Sequence, residues 1–381
     1  MVNLVVLRAN YMSRKVFCMV WLVGLLCGPV WAQQSAWQQL NREYHTAMEL
    51  YEKGNFVAAA QQFGKVQQSR TLSGLQEDEM AQLTLLQENA RFYMAICALE
   101  LQEPDTEDLF LKFIRDYPAS ANAKAAYYQV GRSYFADKNY DKTIEWFSKL
   151  EPGNLAGREY TEYRYKLGYS LFMQERLAEA KPYFAELKDG SSEYAEASIY
   201  YYAYIAYMDG EYKTALREFE RLKGSQTYVA TYPYYISTLY FLDRRYDDVL
   251  EYTVPILQNT RQQHATEMYR IVGATYFAKN DLENAGVYYA RFQEGDQGRT
   301  QNNQDNYQIG YIAYKQGNYE KAIEELEKMN ETDAYYQSSM IALGDAFLQT
   351  GNKQGARNAF FRASRMDFDP ELKEEGLFNY A

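Results

Sequence analysis

The side chains that most often carry chemistry are scarce in this chain. Its 381 residues include two histidines and three cysteines. Neither His45 nor His264 belongs to a pair at helical ligand spacing, so each reads as a surface or packing residue. No glycine-rich phosphate loop and no nucleophile elbow occurs. Acidic clusters such as Glu77-Asp78-Glu79 and Glu324-Glu325 read as solvated helix faces rather than acid–base pairs. Asp296 and Asp305 sit in a polar stretch that lacks the alternating acids and closing Glu of a calcium loop. No enzyme activity, cofactor or metal is expected. Acidic residues outnumber basic ones, 51 to 40, which argues against the basic patch of a nucleic-acid binder. Tyrosine is what abounds, at 39 residues. A phenol offers flat apolar area with a polar tip, which is contact chemistry rather than turnover.

The first residues look like an address. Arg14 and Lys15 precede an apolar run from Val16 to Cys27, and Val30 and Ala32 then lead into polar Gln33-Gln34-Ser35. A charged start, a short apolar middle and a small-residue cut site make a secretory signal peptide. The run falls short of the roughly 20 apolar residues a spanning helix needs. Residues 1–32 are therefore expected to be a signal peptide cleaved after Ala32, with Met12 an alternative start. An uncleaved anchor is the rival reading. Leu26 is too bulky for a lipoprotein box at Cys27. Cleavage removes Arg8, Arg14 and Lys15 and no acid, so 40 basic groups fall to 37 against 51 acidic ones, a net charge of −14. Cys97 alone then remains, and no internal disulfide is possible. It lies in apolar Met94-Ala95-Ile96-Cys97-Ala98, as a buried inert thiol would. The expected location is the periplasm of a Gram-negative cell. Association with the outer membrane and secretion are alternatives.

Residues 33–381 carry an internal period. A small residue is followed twelve positions on by another, and four further on by a large one. Ala47, Ala59 and Phe63 fit, as do Gly168, Ala180 and Phe184; Ala203, Ala215 and Phe219; Gly273, Ala285 and Tyr289; Gly310, Ala322 and Leu326; and Gly344, Ala356 and Phe360. Gly131, Thr143 and Phe147 fit with one softened position. From Gly131 to Gly344 the first small residue recurs every 34 to 37 residues, with Ser237 as a degenerate member. Between the halves a turn recurs, as in Gly54-Asn55-Phe56, Lys138-Asn139-Tyr140 and Gly317-Asn318-Tyr319. Gly or Asn ends one helix there and a second helix starts. The small residues mark the close crossing of two antiparallel helices, and the aromatics are expected to fill the space between one pair and the next. One pair cannot offset its own ordering entropy, so the pairs must stack.

This pattern resembles the tetratricopeptide repeat, whose signature pairs a Gly or Ala on the first helix with an Ala and an aromatic on the second. Tyr117-Pro118 and Asp369-Pro370 resemble its closing Pro. The resemblance implies an all-α fold, an α-solenoid forming a right-handed superhelix of about nine units, with first helices lining the inner surface. Several irregularities stand out. Ser237, Val249 and Thr253 replace the usual trio, and Pro255 should kink or end its helix. Extra sequence after Phe63 reads as a longer helix from near Leu75. Glu294 to Asn306 reads as an exposed loop. After Pro370 a further first helix begins, and Leu377, Phe378 and Tyr380 would carry its apolar face. The last repeat thus reads as incomplete, so the chain is expected to be the front of a longer repeat protein or to dock end-on.

In the family, positions three before, one after and four after the first small residue face the concave side, one helical stripe. Carried over, this gives Tyr165, Tyr169 and Phe172, then Tyr200, Tyr204 and Tyr207. Later units give Tyr234 with Phe241, Arg270 with Phe277, and Tyr307, Tyr311 and Tyr314. The expected function is an exported, non-catalytic scaffold of the cell envelope that holds a protein or peptide in this groove. The acid excess favours a basic partner, and membrane association would come only through partners. Alternatives are a glycan- or peptidoglycan-binding module stacking sugars on the stripe, and the regulatory repeat region of a longer protein.

Overall fold

The computed structural model describes residues 37–69, 77–151, 153, 155–331 and 334–381. The expected signal peptide lies outside them. Among the described residues there are 19 α-helices and no strand. They divide into two compact units, the first ending at Leu187 and the second running Lys188–Ala381. In the first unit α1 (37–52) pairs with α2 (Phe56–Gln68), α3 (Glu77–Glu100) with α4 (Thr106–Asp116), α5 (Ala121–Ala136) with α6 (Tyr140–Phe147), and α7 (Gly157–Met173) with α8 (Leu177–Leu187). The second unit holds α9 (Ala195–Met208) with α10 (Tyr212–Glu220), α11 (Tyr232–Leu242) with α12 (Tyr246–Asn259), and α13 (Ala265–Ala278) with α14 (Leu282–Asp296). It continues with α15 (Asn303–Lys315) and α16 (Tyr319–Leu326), α17 (Ala334–Gln349) and α18 (Lys353–Ser364), and a final α19 (Pro370–Tyr380). Each unit is a solenoid of stacked helix pairs, nine pairs in all among the described residues.

One left-handed residue reverses the chain in every pair. It is Gly at Gly54, Gly210, Gly317 and Gly351, and Gln102, Lys138, Glu175, Arg244 and Asn280 take the same conformation with φ between 56° and 59°. Gly suits the position because no Cβ opposes it. The recurring Asn has a different task from the one read in the sequence. Asn139, Asn318 and Asn352 do not end the first helix but cap the second. Their side chains accept the backbone N–H of Lys142, Lys321 and Gly355 at 3.2, 3.2 and 2.9 Å. This satisfies a donor that the first helical turn leaves unpaired.

The small and large residues of the period meet within one pair. A methyl group placed on Gly344 would come 2.5 Å from the Phe360 ring, and one on Gly310 would come 2.6 Å from Leu326. Phe63, Phe147, Phe184, Phe219 and Leu326 are 0% exposed. The sequence reading put these large residues between pairs. They sit over the small residue of their own pair, and some also reach onward, as Phe219 does in stacking on Tyr235 at 4.7 Å. Across a joint, first helices pack on the next first helices, as in α3–α5, α5–α7, α11–α13, α13–α15 and α15–α17. No second helix packs as broadly on the next second helix among the described residues. First helices therefore form a continuous layer from α3 to α7 in the first unit and from α11 to α19 in the second.

The irregular regions are ordered. α3 runs for 24 residues, close to the expected long helix. Pro255 does not end α12, which continues to Asn259. Pro255 lies on the exposed face, where water can reach the carbonyl that loses its partner. Ser237 and Thr253 replace the small and large residues with a buried hydroxyl–hydroxyl hydrogen bond of 2.7 Å. The stretch from Glu294 to Asn306 is an exposed turn only at 297–300. Helix occupies its two ends, and Asp296, Asp305 and Asn306 are buried. α19 sits against α18 as a further first helix would, with Gly376 allowing close approach to the Ser364 and Phe360 backbone.

The crossing geometry predicts opposite signs for two Gly→Ala changes. Gly344→Ala gains roughly 1 kcal/mol of helix propensity and loses about 1–3 kcal/mol to overpacking on a ring that cannot retreat. Gly64→Ala meets nothing closer than 3.9 Å and keeps the gain. Thermal unfolding followed by circular dichroism should show a lower midpoint for the first and a higher one for the second. Gly344→Ala/Phe360→Leu should recover part of the loss.

Candidate partner-binding surface

All thirteen residues of the sequence-derived stripe are half-buried; none is fully exposed and none is fully buried. This follows from their positions, one step away from the buried small residue on each first helix. In the first unit, Tyr165 and Tyr169 stack at 6.0 Å, and Tyr169 meets Phe135 and Tyr140 edge-on at 5.6 and 5.8 Å. Tyr165 and Phe172 both rest against buried Phe184.

In the second unit the stripe runs over α9, α11, α13 and α15. Tyr200, Tyr204 and Tyr207 from α9 and Tyr234 from α11 all contact the ring of Tyr235, at 6.4, 5.8, 5.5 and 5.1 Å. Tyr235 is itself buried and lies 3° from parallel with Phe219. It is the keystone of the platform, and the sequence reading missed it. The stripe rule skips its position, and only the run Tyr234-Tyr235 signalled it. Further along, Phe277 contacts Tyr307 and Tyr311 at 6.2 and 5.9 Å, and Tyr307 meets Tyr335 at 5.4 Å. Phe241 packs on Tyr246 at 5.9 Å. His264 caps no helix with its side chain but lies over Tyr234 at 4.7 Å, while His45 is exposed.

Four phenols of the stripe, Tyr200, Tyr207, Tyr307 and Tyr314, are raised above the ordinary value by burial. Burial pushes Tyr207 above its ordinary value, with neighbouring tyrosines adding to the effect. Burial likewise raises Tyr307, and it pushes Tyr314 up to about 12 with help from Asp345, which accepts its hydroxyl at 3.1 Å. Each is thus a hydrogen-bond donor at neutral pH. The hydroxyls of Tyr207, Tyr234 and Tyr311 bond to no group among the described residues. Arg270 alone carries a charge on the stripe. It is neutralised in place, 3.6 Å from the buried Asp305 carboxylate and 5.8 Å from the Phe292 ring centre.

Behind Arg270 lies a polar joint between α14 and α15. Asn302 and Asp305 form a reciprocal cap, with bonds of 3.0 and 3.1 Å. Gln301 donates to Asn306 at 2.6 Å and to Glu325 at 2.7 Å, and Gln293 donates to Glu325 at 2.9 Å. Glu325 is therefore buried and engaged, not part of a solvated face. Asp305 is pushed up by burial, against the Asn302 N–H and Arg270. Burial also acts to raise Asp296. There the Thr300 hydroxyl and the N–H groups of Thr300, Gln301 and Arg299 outweigh it and hold the carboxyl low. The described residues contain no group of three or more His, Cys, Asp or Glu able to hold a metal ion. Cys97 is 0% exposed, and its thiol is pushed up to about 11 by burial with Glu100 and Glu103 adding to it. It is a packing residue. No helix among the described residues is long and apolar enough to cross a membrane. Two open hollows lie off the stripe. One, about 590 Å³, is lined by Glu100, Glu107 and Arg132, and the other, about 620 Å³, by Tyr212, Leu239 and Leu242.

The tetratricopeptide-repeat family pattern matches residues 307–371, which run from α15 into α19. No curated protein matches the chain. Among solved structures, the chain is similar to a tetratricopeptide repeat protein from Parabacteroides merdae at 15% identity, covering 68% of this chain and 98% of that one with a TM-score of 0.41. It is also similar to pilF of Pseudomonas aeruginosa, at 13% identity, 57% and 96% coverage and a TM-score of 0.43. The C-terminal part of a repeat-containing protein from Cytophaga hutchinsonii gives 14% identity, 66% and 99% coverage and a TM-score of 0.44.

Asp296 generates a pH prediction. A carboxyl held below its unfolded value stabilises the fold above that value, and the contribution is lost as pH falls through the folded one. Wild-type thermal stability should therefore fall as pH drops below about 4. Asp296→Asn should be less stable at neutral pH and should lose less on acidification. Equal pH slopes for the two proteins would remove Asp296 from the account.

Proposed function

We propose that this chain, a tetratricopeptide-repeat protein, is an exported, non-catalytic scaffold of the bacterial envelope that holds a protein partner on its tyrosine stripe. Tetratricopeptide repeats bind protein or peptide partners, so the general role follows from the fold. The stripe is the observation that carries the finer reading. Aromatic side chains on α7, α9, α11, α13 and α15 stay half-exposed around the buried small residues Gly168, Ala203, Ser237, Gly273 and Gly310. A run of such rings is an interaction surface in chemistry, since half-exposed Tyr gives large contact area with little rotamer freedom to lose. Export rests on the signal-like residues 1–32 alone. The supply of two histidines and one buried cysteine beyond residue 32 supports a role without catalysis.

Two measurements test this. N-terminal sequencing of the protein from a bacterial periplasm should begin at Gln33, and a start at Met1 or Met12 would remove export by cleavage. Residues 33–381 immobilised as bait should retain a discrete envelope protein that Tyr204→Ala/Tyr207→Ala loses. A bait variant that keeps its circular dichroism spectrum and every retained protein would refute the stripe as the partner surface.

A further inference from the structure

The second unit covers part of its own stripe. The connection from α10 to α11 runs from Arg221 to Thr231 and is the longest in that unit, whereas Thr260 to His264 suffice between α12 and α13. Reversing the chain needs only a few residues, and the extra ones carry Tyr228 back over α9. Its ring lies on that of Tyr200, 4.5 Å away and 14° from parallel. One joint further, His264 lies over Tyr234 at 4.7 Å and 30°. Tyr200 and Tyr234 hold the same place on their helices, three residues before Ala203 and Ser237. We propose that these two connections form a strap that closes the stripe at Tyr200 and Tyr234, an autoinhibitory contact that a partner must displace to reach those rings. The proposal rests on the stripe being the partner surface and adds how access to it is governed.

The two connections are tied into one piece. Gln262 Nε2 donates to the Val229 carbonyl at 3.2 Å, and the Gln263 N–H donates to the Ala230 carbonyl at 2.9 Å. Around Tyr228, Ser225 Oγ accepts its N–H at 3.1 Å and the Thr231 hydroxyl donates to its carbonyl at 3.1 Å. Tyr228 and Val229 rest on the edge of the core, while Gln226 and Thr227 beside them are exposed. The strap therefore runs over the surface, where connections belong. A flat ring on a flat ring is also the contact that an incoming aromatic group would make. Tyr228 already makes it.

Two features make the strap displaceable. Among the described residues α9 and α11 do not pack broadly on each other, unlike α11 and α13 or α15 and α17. The strap is thus not what holds the stack together. With it open, α9 stays on α10, and α11 stays on α10 and α12. The closed strap is also incompletely satisfied. Gln262 is buried, and its side-chain oxygen accepts from no group among the described residues. Opening hydrates that oxygen, which offsets part of what the ring contacts contribute. The consequence for binding follows from populations. A strap closed in about nine molecules of ten weakens a displacing ligand about tenfold.

Peptides selected from a random library on the Tyr228→Ala variant of residues 33–381 test this, with calorimetry as readout. Those whose binding is lost on adding Tyr204→Ala/Tyr207→Ala are the ones that use the stripe. They should bind Tyr228→Ala about tenfold or more tighter than wild type. Gln262→Ala keeps the ring and removes one tie, so it should bind them about threefold tighter than wild type. It also carries the test should Tyr228→Ala fail to keep its circular dichroism spectrum. In wild type, the Gln263 amide bonded to Ala230 should exchange hydrogen faster once such a peptide is bound. Stripe-dependent peptides that bind wild type and both variants equally would leave the stripe standing and overturn the strap. A gain with Tyr228→Ala and none with Gln262→Ala would mark a peptide filling the hole left by the ring, and would overturn it too. So would a Gln263 amide that stays protected in the complex, since the peptide would then lie beside the strap. No stripe-dependent peptide at all would end both the stripe and the strap.

Discussion

The contact of a small residue on one helix with a large one on the next sets everything else in each unit. Where Gly131, Gly168, Gly273, Gly310 or Gly344 stands, the facing side chain comes so near that a methyl group would meet it at 3.0 Å or less. That proximity lets a ring or a leucine bury completely in a pair of short helices. α6 and α16 have only 8 residues each and α10 only 9, lengths at which an isolated helix does not persist in water. They persist because one face is filled by a side chain fitted to its partner, and because the next pair covers the other.

The same constraint creates the surface. A first helix that places its small residue against its own partner must turn the positions three before, one after and four after that residue another way. These positions share one stripe. From α11 to α15 first helices pack on first helices across the joints, so the stripes of those pairs lie side by side. Tyrosine is tolerated there because the ring can lean on a neighbouring ring while its hydroxyl reaches water. The aromatic surface is thus a by-product of how the pairs pack, and the choice of Tyr over Leu at these positions is what remains for function to explain.

The period, the helix pairing and the stripe were legible in the sequence because each repeats, and repetition averages out weak local signals. What was not legible was whatever occurs once. The Glu294–Asn306 stretch is polar, and polarity read as exposure. In the fold residues 297–300 are exposed, but Asp296, Asp305 and Asn306 on either side are buried and bonded, so there polarity marks a joint. Glu325 misled in the same way, since a Glu-Glu pair on a helix gives no sign that one member faces Gln293 and Gln301. Pro255 looked like a break, yet its exposed position leaves the unpaired carbonyl to solvent. Tyr235 was passed over because the family rule assigns roles by position, and its role comes from a contact with Phe219 of the preceding pair that only the stacked pairs reveal.

Repetition also poses a problem that the polar residues resolve. Successive pairs carry nearly the same apolar face, and apolar contacts are non-directional, so burial alone permits a pair to slide or rotate on its neighbour. Within each unit the joints carry directional ties. Gln87 donates to the Ser69 carbonyl at 2.9 Å, Arg132 to Glu162 at 2.7 Å, and Tyr240 to Glu220 at 2.6 Å. Lys279 pairs with Asp247 at 2.6 Å, Gln293 bonds Glu325 at 2.9 Å, and Tyr314 bonds Asp345 at 3.1 Å. Their net stabilisation is small, because desolvation offsets much of what the partly buried ions gain. Their effect is on register. A ring platform whose members come from three or four different helices works only if those helices keep a fixed rotation, and tyrosines within 5–6 Å of one another leave little room for slip. The acid excess of this chain therefore has a structural use inside the stack.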